Sequence, residues 1–504
     1  MKHCWLLFPI ICVILLSSCS DNFDTIPNTG NLTFSRDTVY LNTVFTNISS
    51  STYQLKVYNK NNQSIHIPSI KLALGEASAY RLNVDGIPGK SFSDIQILAN
   101  DSLYVFIETT IDFSQVSDPL YTDKIIFDTN ENQQNIELVT LVQDAYFLYP
   151  SKNAQGIIKT IEIGNSPMGK TLSVQGFYLD KSTIFTNEKP YVIYGYCAIP
   201  SGKTLTVEAG ARVYFHANSG MIVDNGATLK LEGTLEENII IEGDRLQPQF
   251  ENKPGQWGTI WLRAGSTNHS INYTTIKNGE IGIMIDSIGN TTNPTLTIKN
   301  TQLYNHSTYG ILGRNTYIQG ENIVINNVGL SSIACTGGGT YEFSHCTFSN
   351  FWNQSIRQSP TVLVNNYSFV GNGGIASSDL KEATFVNCII SGNKNIELVL
   401  DNEATAEFHY NFKNNLIKFD DFNNTFVDIP EYNFEDINHF QNNIFNKKPD
   451  FKDPYENNLK IGVDSNGNNQ ANLDGASKVA FDILGVNRTI SPDIGAYQHQ
   501  VFEE

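Results

Sequence analysis

Between Leu32 and about Tyr146, apolar and polar residues alternate in short bursts separated by turn formers. Gln54-Leu55-Lys56-Val57-Tyr58 alternates and runs into the turn Asn59-Lys60-Asn61-Asn62. Ser64-Ile65-His66-Ile67, Ser102 to Ile107, Lys124 to Phe127 and Ile136 to Val139 continue the series. A period of two buries one face of a strand. Roughly seven such strands over about 115 residues predict a β-sandwich spanning residues 32–150.

From about residue 155 to Glu504 the texture changes. No stretch sustains a 3.6-residue apolar period, so helices are not expected. Short runs of β-formers recur between Asn, Gly and Ser, as in Leu296 to Leu303, Tyr317 to Ile325, Tyr341 to Phe348 and Ala383 to Ile390, with an earlier copy at Ile271 to Asn278. With Ile298, Ile318, Phe343 and Phe385 taken as equivalent, the steps are 20, 25 and 42 residues, and the last reads as two turns with Thr361 to Val364 between them. Recurrence at about 20–27 residues without helices predicts a β-solenoid in which each strand pairs with its equivalent one coil away. At roughly 23 residues per coil and about 4.8 Å per step, some 13 coils would rise about 60 Å. Asn at matching turns can ladder its amides along the axis. The fold class expected is all-β: a sandwich followed by a solenoid.

The sandwich region is similar to Ig-like modules of the ASH/HYDIN type in Val57-Tyr58-Asn59, Ile65 to Ile70, Leu103 to Ile107 and Asp123 to Asn130, and it lacks the Cys…Trp…Cys of antibody domains. Residues 155–504 resemble the right-handed parallel β-helix family of pectate-lyase-like architecture. The resemblance lies in Leu205 to Phe215, in Leu229 to Thr234, in Ile239 to Gly243, and in an exit phrase Pro492-Asp493-Ile494-Gly495-Ala496-Tyr497-Gln498 with Gln where Glu is usual. It covers about two thirds of the chain. It implies a fold and not an activity, because that fold hosts lyases, hydrolases, epimerases and non-catalytic adhesins.

The first residues speak to location. Lys2 and His3 precede an apolar run from Trp5 to Leu16 that contains Pro9. That run is too short to span a bilayer core of about 30 Å and suits a secretion signal. Leu16-Ser17-Ser18-Cys19 resembles a bacterial lipobox, which implies a signal peptide over residues 1–18, a lipidated Cys19 and a tether over 19–31. Two acyl chains suffice for stable membrane anchoring. Asp21 and Asp24 give the start of the tether a resemblance to surface-export signals of Gram-negative lipoproteins, implying an outer-membrane location facing the exterior.

Charge narrows the partners. Thirty-three Lys and Arg against 51 Asp and Glu give a net charge of −18, and no basic run offsets it, so nucleic acid is not an expected partner. Outside the leader four cysteines remain, Cys197, Cys335, Cys346 and Cys388. They form no CxxC and have no His at zinc spacing, and they read best as buried thiols, with a disulfide left open.

The search for chemistry is sparse. Asp420-Asp421 is an adjacent acid pair. On a strand its members would face opposite ways and could not serve one glycosidase cleft; a solvated turn is the better reading. Arg212, Tyr214 and His216 alternate with Val213 and Phe215 and would share the outer face of one strand. They could act as clamp, acid and base, although a plain solvated face fits as well. Trp257 and Trp261 are four apart and so should face the same way, while Trp352 follows Phe351 at a strand end. Exposed, such rings would stack on sugars; core packing is the commoner use. Neither metal nor cofactor is expected. The expected role is non-catalytic binding of glycans or neighbouring surfaces from a lipid anchor. The alternative is a polysaccharide lyase or glycoside hydrolase with an unrecognised site on the solenoid.

Overall fold

A computed structural model describes residues 25–28, 32–128, 133–166, 169–286, 292–370 and 373–503. The signal, Cys19 and most of the tether lie outside the described residues. The chain divides into two compact units, Met1–Asp144 and Ala145–Glu504.

The first unit holds a six-stranded and a five-stranded sheet, more strands than the seven expected. Tyr80–Val84, Ile87–Gly89 and Ser91–Ile97 are among those added. Most pairs are antiparallel, as in Leu120–Asp128 against Gln133–Gln143 and Tyr53–Tyr58 against Ser102–Thr109. Thr38–Phe45 joins the edge in parallel with Gln133–Gln143. Alternate residues of both sheets bury completely, among them Val39, Val57, Ile67, Val105, Phe127 and Leu138, and form one core.

The second unit is built almost entirely of parallel pairs. One sheet has eleven strands, from Tyr146–Leu148 to Ile444–Phe445, and we term it ladder C. An eighteen-stranded sheet carries two further rows, ladders A and B. The chain visits C, A and B in turn. Arg212–Phe215 lies in C, Gly220–Val223 in A and Thr228–Glu232 in B, and Ile239–Gly243 returns to C beside Arg212–Phe215. Tyr309–Glu321 and Ile333–Ser344 run unbroken through both A and B. Eleven strands in ladder C mean eleven stacked turns, against the 13 or so expected.

The register corrects two alignments. Ile298 pairs with Gly320 rather than Ile318, and Ile318 pairs with Tyr341. Phe343 pairs directly with Phe385, so the 42-residue step is one turn and not two. Val362–Asn365 is the ladder A strand of that same turn. Two insertions lengthen it: residues 351–361, and a hairpin of Tyr367–Val370 with Gly374–Ser377. The first insertion is clamped by a buried ion pair. Arg357 donates from both terminal nitrogens to Glu397 at 2.9 and 2.7 Å, and Thr361 also donates to Glu397.

Inward residues stack in columns of like side chains, for example Met221, Ile260, Ile283, Ile311, Ile333, Val362 and Leu398 in ladder A. At the turn from B to C every coil from Tyr273 onward needs a left-handed residue: Tyr273, Asn300, Asn322, His345, Asn387, Asn414 and Asn442 all have positive φ. Asn tolerates that conformation best among non-glycine residues. Its amides ladder as expected, Asn322 Nδ2 donating to Asn300 Oδ1 at 2.9 Å and Asn300 Nδ2 to Asn272 Oδ1 at 3.0 Å. A second amide column runs through Asn327, Asn305 and Asn278 at the next corner.

The four cysteines outside the leader are free and buried. Phe419, Phe426, Tyr432, Phe434, Phe440 and Phe445 form a contiguous aromatic cluster over the last turns, with ring centroids as close as 4.4 Å. After it the chain doubles back as a strap along the outer face of ladder C. Ile494, Ala496 and Tyr497 pack there on Tyr304, Val324, Ile389 and Leu416. The exit phrase thus lies in a buried seam. Gly495 donates its N–H to Asn387 O at 2.8 Å, and a Cβ there would press on Ile389 and Thr347. Gln498 accepts from Asp493 N and donates to Ser491 O, and a carboxylate could not make that donation. Arg488, fully buried beneath the strap, donates to Gly495 O, Ala496 O and Asn322 Oδ1.

Candidate functional site

Ladder A has an unusual outer face. Outward residues of a solvated sheet are polar, yet this column reads Ile222, Trp261, Met284, Leu312, Ala334, Leu363 and Val399 from turn to turn. Two positions further along each strand a second column begins: Asp224, Arg263, Asp286, Arg314. Successive members carry opposite charge and bond across the turns. Arg263 Nη1 donates to Asp224 Oδ1 at 2.9 Å, and Arg314 Nε donates to Asp286 Oδ1 at 2.7 Å, with its Nη2 on the same oxygen.

Trp261 sits where the columns meet. Its Nε1 donates to Asp286 Oδ2 at 2.8 Å, and the Arg263 guanidinium lies 5.5 Å from its ring centroid. The indole is therefore pinned at its polar edge while its ring stays partly exposed. A groove of about 820 Å³ opens here, walled by Asp224, Arg263 and Asp286 and closed on one side by Ile163. Ile163 belongs to a hairpin, Thr160–Asn165 with Thr171–Tyr178, that covers the first part of the apolar column, Ala198 and Ile222. Tyr178, on the same hairpin, lies beside Asp224, and burial together with that carboxylate raises its phenol above the usual range. The groove is thus a fixed aromatic ring among carboxylates and guanidinium groups already oriented by one another.

The other expected residues lie elsewhere. Trp257 is in the core, its ring 4.7 Å from that of Phe215 and its Nε1 donating to Lys277 O. It does not share a face with Trp261, because it lies outside the strand Ile260–Leu262, in an isolated bridge to Gly279, so strand alternation does not run from one ring to the other. Trp352 is buried as well, its Nε1 on Ser355 Oγ. Of the three tryptophans only Trp261 can meet a ligand.

Arg212, Tyr214 and His216 do not form one exposed row. Arg212 and His216 are exposed, but Tyr214 is 4% exposed, in register between Val192 and Glu242 of the flanking turns. Burial and the Glu242 carboxylate raise its phenol. His216 Nδ1 lies 2.7 Å from Asp244 Oδ2, and its ring stacks on Tyr194 at 4.4 Å. That is a base–orienter geometry, placed on the open surface and outside the groove. Asp421 accepts from Thr425 N and Phe426 N as a turn residue, in keeping with the reading of a turn.

Asp224, Arg263 and Arg314 carry no mark of function in the sequence taken alone. The signal for this column is a charge two places after each outward apolar residue: Ile222-Val223-Asp224, Trp261-Leu262-Arg263, Met284-Ile285-Asp286 and Leu312-Gly313-Arg314. Among the described residues no group of three or more His, Cys, Asp or Glu is placed to hold a metal ion.

No protein-family profile matches the chain, and no curated protein matches it. Among solved structures the chain is similar over 22% of its length, at 10% identity and a TM-score of 0.17, to a family 123 glycoside hydrolase from Clostridium perfringens studied for glycolipid glycan hydrolysis. The chain spans 26% of that structure's length. A likeness of this degree assigns neither fold nor activity.

Proposed function

We propose that the chain is a bacterial outer-membrane lipoprotein, anchored through Cys19 and facing the exterior. In this reading an Ig-like sandwich carries a right-handed parallel β-helix that binds glycans without cleaving them. One observation supports the binding role above all: Trp261 stands in a groove with its indole N–H held by Asp286 and its ring flanked by Arg263. Pyranose rings stack on such indoles through their apolar faces, and their hydroxyls pair with fixed carboxylates and guanidinium groups.

Glycan-array binding of residues 20–504, compared with Trp261→Ala, tests the reading. The expected result is a defined set of ligands, lost at least tenfold in the variant. An empty array, or unchanged binding by the variant, removes it. Anchoring is tested in cells. Cys19→Ala should move the protein from the membrane fraction to the soluble fraction, and protease added to intact cells should remove the wild type. A second reading, a polysaccharide lyase or hydrolase, rests on the His216–Asp244 pair. Release of unsaturated or reducing sugar ends, abolished by His216→Ala, would favour it over binding alone.

A further inference from the structure

A second recess lies at the corner between ladders A and B, on later turns than the Trp261 groove. It measures about 380 Å³ and is lined by Asn315, Tyr317, Thr340, Ser377, Asp379 and Thr405 with their neighbours. Its floor exists because three consecutive glycines, Gly337, Gly338 and Gly339, all take positive φ. A Cβ on Gly338 would collide with the carbonyl oxygens of Ser378 and Asp379, so the glycine run brings that backbone against the corner. The inserted hairpin ends at Ser377, on the rim of the recess.

The side chains around it are oriented in advance. Tyr317 donates its hydroxyl to Glu342 Oε1 at 2.8 Å, and Gln319 Nε2 holds the other carboxylate oxygen at 3.1 Å, so the phenol ring is fixed from behind. Ser377 and Thr405 hydroxyls bond each other at 2.7 Å across the rim. Asp379 accepts from Glu407 N through Oδ1, and among the described residues its Oδ2 has no partner. Hydroxyls, one amide, the Asp379 carboxylate and the Lys381 ammonium around a single aromatic ring make a lining without a large apolar wall. That chemistry matches a polyol bearing adjacent hydroxyls, and a recess of this volume fits one ring rather than a passing chain.

We propose that this corner recess is a separate carbohydrate subsite that takes a single neutral hexose unit, as a chain end or a branch. The ring of the sugar lies against Tyr317. Asp379 Oδ2 accepts from two vicinal hydroxyls, and Asn315 and Thr405 complete the contacts. The site is independent of the Trp261 groove, so a ligand that reached both would be held twice.

Saturation-transfer NMR on residues 20–504 with free glucose, galactose, mannose and N-acetylglucosamine tests it. At least one hexose should show transfer. Asp379→Asn and Tyr317→Ala should each weaken that hexose at least tenfold, with Trp261→Ala unchanged. Asp379 is exposed, so its variant should fold; Tyr317→Phe, which keeps the ring, should retain most of the binding. The proposal is overturned if no hexose gives transfer, if Asp379→Asn binds like wild type, or if Trp261→Ala alone abolishes the signal. Failure of the array experiment above with success here would separate the two sites.

Discussion

His269 shows how one residue ties the fold to pH. It is 2% exposed, accepts from Leu229 N at Nδ1 over 3.0 Å, and donates from Nε2 to Ser266 Oγ, whose own proton goes to Arg263 O. Both ring nitrogens are committed in the neutral form, and a proton on Nδ1 would face a backbone N–H. Burial accordingly pushes its pKa down to about 4. The unfolded chain, with the ordinary value of about 6.5, takes up the proton first as pH falls. The stabilisation is complete above about pH 6.5 and is lost as pH drops from there towards 4. Thermal melts across this window should fall for the wild type and fall less steeply for His269→Asn, which keeps an acceptor but cannot take the proton. Equal slopes would discard this account. His306, also held near 4 by burial, supplies part of the remaining slope.

The strap explains at the scale of an element why the exit phrase has its composition. Parallel sheets are normally covered on both faces, and on ladder C the strap supplies the second cover. Removing residues 480–504 would take Ile483, Ile494, Ala496 and Tyr497 out of the core that they share with Tyr304, Val324, Ile389 and Leu416, and so expose part of that face. At about 1.5–3 kcal/mol for each large apolar side chain exposed, the loss is on the order of 5 kcal/mol or more. The truncated chain should melt well below the intact one and bind a hydrophobic dye; an unchanged melt would show that the strap is dispensable.

Much at this scale was legible beforehand. Recurring Asn marked the turns and their amide ladders, and recurring short apolar runs marked the strands that stack. The long step before Phe385 reads as two turns in the sequence because Thr361 to Val364 looks like a coil of its own, and only the register shows that it is the ladder A strand of the same turn, with the hairpin of Tyr367–Val370 inserted after it. The tryptophans were misplaced for a related reason. Parity holds only within an unbroken strand, and the one holding Trp261 begins at Ile260, after Trp257. The charged column beside Trp261 could not be recognised until the turns were aligned, since its members lie 23 to 39 residues apart in sequence.

At the scale of the whole molecule, two separate apolar cores carry stability, one within Met1–Asp144 and one running through the ladders. Nearest-neighbour stacking governs the second, while the sandwich is an ordinary cooperative unit. Calorimetry should therefore resolve two unfolding transitions, and the His269→Asn exchange should move only the one that belongs to the ladders. A single transition shifted as a whole would contradict this division.

The aromatic cluster around Phe419 and Phe434 carries a last consequence. A pile of parallel strands is a template whose final edge invites another molecule to continue it, the geometry by which fibrils lengthen. Here the last strands shrink to two residues each, and six rings lie over the final turns. The end is plugged, so a long stack of parallel strands can stand at high local concentration without seeding its own polymer.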